Sequence, residues 1–166
     1  MRRSRSESRS TSIRTRLVVL VAAAAALAGG VAYRSAGDDV VGAVPWQDVS
    51  AKLPGIEGSH AVFRVIRHAD QLDELQRELE PGVAPRSVDV DYTRSELVFA
   101  SEGPRSSSGY GVEVVRVEEL RRTVLVTVRE TSPALGDDVR AGVTYPYALI
   151  EIPRVDKHVH IRWQDR

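Results

Sequence analysis

The chain has 166 residues, enough for one domain with a sizeable core, and 23 basic side chains balance 23 acidic ones. It contains no cysteine, which excludes disulfides, thiol catalysis, thiolate metal sites and a lipid-modified cysteine behind a leader. The zero net charge conceals a segregation: Arg2, Arg3, Arg5, Arg9, Arg14 and Arg16 stand at the start with only Glu7 against them, and the remainder is acidic, at −5. A folded part of that sign does not fit nucleic acid, which selects basic faces.

Residues 17–32 form an apolar run rich in alanine. As a helix it would span about 24 Å, short of the roughly 30 Å hydrocarbon core. The basic start, short apolar middle and small residues at Ala26-Leu27-Ala28 fit a cleavable export signal; an uncleaved single-pass membrane anchor is the alternative. Either form keeps the arginines cytoplasmic and exports the rest of the chain, to the cell envelope or beyond it. Residues 33–43, aperiodic and rich in Gly, Asp and Ser, read as a linker. The domain is expected over residues 44–166, with Trp46 docking at the edge of its core.

Within that domain, residues 61–67 are a β-branched strand bounded by turn residues. Asp70 then sits where a helix cap is expected, with Asp73 at capping-box spacing. Leu72, Leu75 and Leu79 share one face of a helix of about ten residues, and Pro81-Gly82 stops it. Val88, Val90 and Tyr92 alternate with Asp89 and Asp91 as in a half-buried strand, and residues 97–100 are a buried-type strand.

Residues 103–110 (Gly-Pro-Arg-Ser-Ser-Ser-Gly-Tyr) read as a shaped loop on a rigid scaffold, where binding residues gather. In the next strand Val112 and Val114 fall on one face, Val115 and Val117 on the other, which requires a bulge or cover on both sides. A hairpin over residues 118–122 leads to Val124, Val126 and Val128. Pro146 places the strand of residues 143–152 at an edge, or breaks it. Val159, Ile161 and Trp163 then point inward, with His158, His160 and Arg162 outward. The expectation is a β-rich α+β domain: one helix and six to seven mostly antiparallel strands in a sheet or sandwich.

The order of these features resembles the PrcB C-terminal domain family, whose name comes from a subunit of a bacterial surface protease complex. In the loop, Gly103, Arg105, Gly109 and Tyr110 match the family's Gly-x-Arg-Pro-Thr-Gly-Gly-Tyr, Ser107 stands for its Thr, and Ser106 and Ser108 replace Pro and Gly. Pro133, then Thr144, Pro146 and Tyr147, then Ile152, Pro153 and Arg154 match further steps. The resemblance runs from about Trp46 to Trp163. It implies a non-enzymatic accessory module, exported or membrane-tethered, that helps to stabilise or assemble a protease partner.

Catalytic and metal chemistry finds little to stand on. Ser107 lacks the glycines of a nucleophile elbow, and no glycine-rich phosphate loop opens a helix. No motif calls for a cofactor. His158 and His160 share a strand side, as a zinc-dependent hydrolase could use, but Arg162 follows them there. Asp137-Asp138 and Asp89-x-Asp91 lack the frame of a calcium loop. What remains is a recognition surface: Arg105, Ser106, Ser107, Ser108, Gly109 and Tyr110, joined by Tyr145 and Tyr147, touching a protein partner. A second reading inserts the same loop into a protease cleft as an inhibitor. A third makes Tyr110 and Tyr147 core residues with a hydroxyl at the rim.

Overall fold

The computed structural model describes residues 39–164. The leader or anchor expected over residues 1–32 and the linker as far as residue 38 lie outside the described residues. Among the described residues no helix is long and apolar enough to cross a membrane.

The elements run β1 (Val40–Ala43), β2 (Gln47–Asp48), β3 (Val62–Ile66), α1 (Ala69–Leu79), β4 (Ser95–Ser101), β5 (Arg105–Ser107), β6 (Gly111–Leu120), β7 (Thr123–Thr131), β8 (Ala141–Thr144), β9 (Tyr147–Pro153) and β10 (His158–Gln164). This is the strand-rich α+β architecture that the alternation predicts. One sheet has the order β1-β6-β7-β10, a second β2-β9-β4-β3, and β5 pairs with β8 in a two-stranded ribbon. The strands outnumber the six or seven expected because β1, β2 and β5 are short segments that do not read as strands, and the strand expected over residues 143–152 divides into β8 and β9. Composition does not reveal a strand that a neighbour's backbone recruits.

The central strands of the second sheet, β4 and β9, are buried on both faces, and the sequence shows why. Along β4, Leu97 and Phe99 share a cluster with Leu72, Leu75 and Leu79 of α1, while Val98 and Ala100 share another with Val117, Val124, Val126 and Val128 of the first sheet. A strand covered twice must be apolar at every position rather than at alternate ones. Each Leu, Val or Phe so buried contributes roughly 1.5–3 kcal/mol. The layers are therefore helix, inner sheet and outer sheet.

Several local expectations shift. The helix begins at Ala69 after an extended His68 that makes no side-chain cap, so Asp70 sits within the first turn. There its carboxylate still favours the positive end of the helix. Residues 88–92 keep the expected alternation, with Val88 buried and Asp89 and Asp91 exposed, yet they form no ladder. Packing alone sets that period. Upstream, Val40 pairs with Leu120 and Ala43 with Glu118, so ordered structure starts before the boundary expected at residue 44.

Two strands depart in direction or continuity. β10 lies parallel to β7, with His158 beside Thr123 and Gln164 beside Arg129. Passage through β8 and β9 supplies the crossover that a parallel pair needs. The inward set Val159, Ile161 and Trp163 is as expected, because alternation does not depend on direction. At Pro146 the strand is broken, and its halves join different sheets.

Candidate functional site

Residues 103–110 enter the fold through a tight approach. Gly103 has φ +77°, and a Cβ there would lie 2.9 Å from the carbonyl carbon of His60, so only glycine fits without displacement. Its N–H donates to Ser101 Oγ at 3.1 Å, and that hydroxyl donates to the Pro146 carbonyl at 3.1 Å. The start of the segment and the break between β8 and β9 are thus fastened together.

Beyond Gly103 the chain becomes β5, and here the expected outward loop is corrected. Arg105 pairs with Thr144 and Ser107 with Ala141 across the ribbon. Ser107 is buried, and its carbonyl accepts from Thr144 Oγ1 at 2.6 Å. Ser108 exchanges bonds with Arg140, giving its N–H to the Arg140 carbonyl and accepting the Arg140 N–H on Oγ, each at 3.0 Å. Ser106 is exposed. A Cβ on Gly109 would come within 2.6 Å of Pro133 Cβ and 2.5 Å of Val139 Cγ1, so the second glycine is also packed. An inhibitor that inserted this segment into a cleft would first have to release these bonds.

The Arg105 guanidinium is engaged within the molecule. Nε donates to Glu130, Nη2 to Glu102, and Nη1 to the carbonyls of Glu102 at 3.0 Å and Pro104 at 3.1 Å. The Glu102 side chain has 0% exposure and that of Arg105 only 21%. Hydrogen bonding to Glu130, then the charges of Glu130 and Glu102, raises Arg105 above its ordinary value against the opposing pull of burial. This residue is a clamp rather than an outward contact, because two carboxylates and two backbone carbonyls together engage four of its five planar donors.

The three tyrosines come together. Tyr110, Tyr145 and Tyr147 line one open groove of about 450 Å³, with Pro54, Pro146 and Val112. Tyr110 immediately precedes β6, and Tyr145-Pro146 occupy the break before β9. Tyr147 stacks on Phe99, with ring centroids 5.5 Å apart and planes at 23°. Its hydroxyl donates to the Leu53 carbonyl, with the Ser50 carbonyl at 3.2 Å. Burial pushes its pKa up. All three rings are half-buried, but Tyr147 packs against the helix-side core cluster and reaches the groove with its edge. The contribution of residues 50–55 had no signal in the sequence beyond the turn residues Pro54-Gly55; a short 3-10 helix over Ser50–Lys52 delivers them.

Other candidates stay apart. His158 and His160 are exposed on β10, and among the described residues no group of three or more metal-ligating side chains converges. Trp46 is 38% exposed and lines a second groove of about 570 Å³ with Pro45, Arg94, Glu151 and Pro153. Charged side chains border that groove; none lines the tyrosine groove.

No curated protein and no solved structure matches the chain. Residues 97–153 match the family described as PrcB C-terminal. The match is narrower than the resemblance read from the sequence, and it starts in β4 and ends with β9. Tyr110, Tyr145, Tyr147 and the Arg105 clamp all fall inside it, whereas Trp46 and Arg94 fall outside. Through this segment, which supplies all three tyrosines of the groove, the chain is similar to the PrcB C-terminal domain family.

Proposed function

We propose that this chain is a non-enzymatic accessory module that binds a protein of an exported protease complex through the tyrosine groove, and that its N-terminal segment exports it or tethers it to the envelope. The carrying observation is the convergence of Tyr110 and Tyr145 on an open, uncharged groove inside the family-matched segment. Tyrosine supplies large apolar area at low entropic cost and keeps a polar tip, which is why it recurs where interfaces concentrate their energy. The family's name, from a protease complex subunit, supports a protein of such a complex as the class of partner.

A photo-crosslinking residue placed at position 145 tests this in cells. The expected outcome is a covalent product with an exported protease subunit, absent when the same residue replaces the exposed Arg116 of β6. Equal products from both positions, or none from either, would refute the assignment.

A further inference from the structure

Resting on that reading, the chemistry of the groove also limits what can enter it. We propose that its occupant is an uncharged, proline-containing segment of the partner, held in the extended polyproline conformation.

Charge is the first argument. None of the residues lining the groove carries a formal charge at neutral pH. The nearby guanidinium of Arg86 is already committed to Glu80 and to the Pro54 carbonyl. A charged side chain entering here would lose water without gaining a partner.

Hydrogen bonding is the second. Pro54 and Pro146 have no N–H, the Pro146 carbonyl accepts from Ser101, and the Tyr147 hydroxyl is spent on the Leu53 carbonyl. Along the Pro54 and Pro146 wall, where both carbonyls are taken and no N–H exists, an added β-strand finds no ladder for its alternating donors and acceptors. A polyproline segment has no such ladder to satisfy. It presents ring faces and free carbonyls, is stiff before it binds, and suits aromatic-lined grooves. Tyr110 and Tyr145 can each offer it a ring and a hydroxyl donor.

The full chain, immobilised, is exposed to a peptide library with proline fixed at two positions three residues apart and uncharged residues elsewhere. A matched library carries alanine at the fixed positions. Enrichment of the proline library, reduced about tenfold by Tyr145→Ala or Tyr110→Ala and retained by Tyr145→Phe, is the expected result. Circular dichroism of each variant separates lost contact from lost fold. Equal enrichment of both libraries would overturn the inference, since any extended chain would then do. So would no enrichment of either. In both cases a positive cross-link at position 145 would leave the protein-binding reading intact, and its absence would remove that reading independently.

Discussion

Arg105 on β5 donates Nε to Glu130 on β7, 25 residues away, while its other edge meets Glu102 just past β4. One guanidinium therefore links the ribbon to both sheets. Breaking a buried pair from one side costs about 3–5 kcal/mol, because it strands a carboxylate in the interior. Arg105→Ala should lose roughly that much stability in denaturant titration, and Arg105→Lys should recover only part, since an ammonium is a point charge without the planar fork. Unchanged stability with impaired partner binding would return Arg105 to the role of outward contact.

Tyr147 predicts a response to alkali. Burial raises its pKa, with Arg86 opposing and Asp48 and Glu80 reinforcing the shift; burial likewise raises Tyr92, helped by Asp73 and Glu151. A raised folded pKa means that the fold favours the neutral phenol. The stability from this preference is fully present below the unfolded value of about 10 and is lost as pH rises through the folded values. Ionisation also removes the hydroxyl proton that Tyr147 gives to the Leu53 carbonyl. Denaturation midpoints should fall above about pH 10, and a Tyr92→Phe, Tyr147→Phe double variant should fall less steeply. Parallel declines would mean that neither phenol contributes.

Gly103 makes a third prediction. Alanine there would hold φ +77° and push a Cβ against the His60 backbone, which unlike a side chain end cannot swing aside. The expected loss exceeds about 1 kcal/mol, the ordinary cost of such a backbone mismatch. Gly82→Ala is the control, because φ is +87° there but nothing lies within 4 Å of the added carbon. The difference in melting temperature between the two variants measures the close approach by itself.

How much of this was legible depends on which forces write themselves into side chains. The core of α1, the continuous apolar run of β4 and the alternation of β10 were readable, because burial selects residue type at each position. The short strands were not, since Val40 and Ala43 pair through backbone atoms that every residue has. Arg105 misled for a related reason: arginine followed by three serines looks like a contact surface, and only the tertiary fold brings Glu130 to it. Tyr145 and Tyr147 do line one groove with Tyr110, although Tyr147 turns its hydroxyl inward. The wall at Pro54 comes from a segment far upstream of all three, a separation that no local pattern bridges.

The change of face in β6 resolves as a bulge. Val114 pairs with Val128 and Arg116 with Thr127, so Val115 is the additional residue, 36% exposed, and Val117 returns to the buried side. Removing Val115 leaves Val112, Val114 and Val117 alternating regularly with Glu113, Arg116 and Glu118, so every apolar side chain keeps its face. The deletion should therefore fold, at a cost of about 1 kcal/mol, the scale on which local strand preferences vary. Deleting Leu125 from the facing β7 has no bulge to absorb it and would turn Val124 or Val126 outward, because a one-residue slip reverses a strand. Chemical denaturation of both deletions checks the assignment. If the Val115 deletion unfolds the domain as fully as the Leu125 deletion, the bulge is required for a reason other than register.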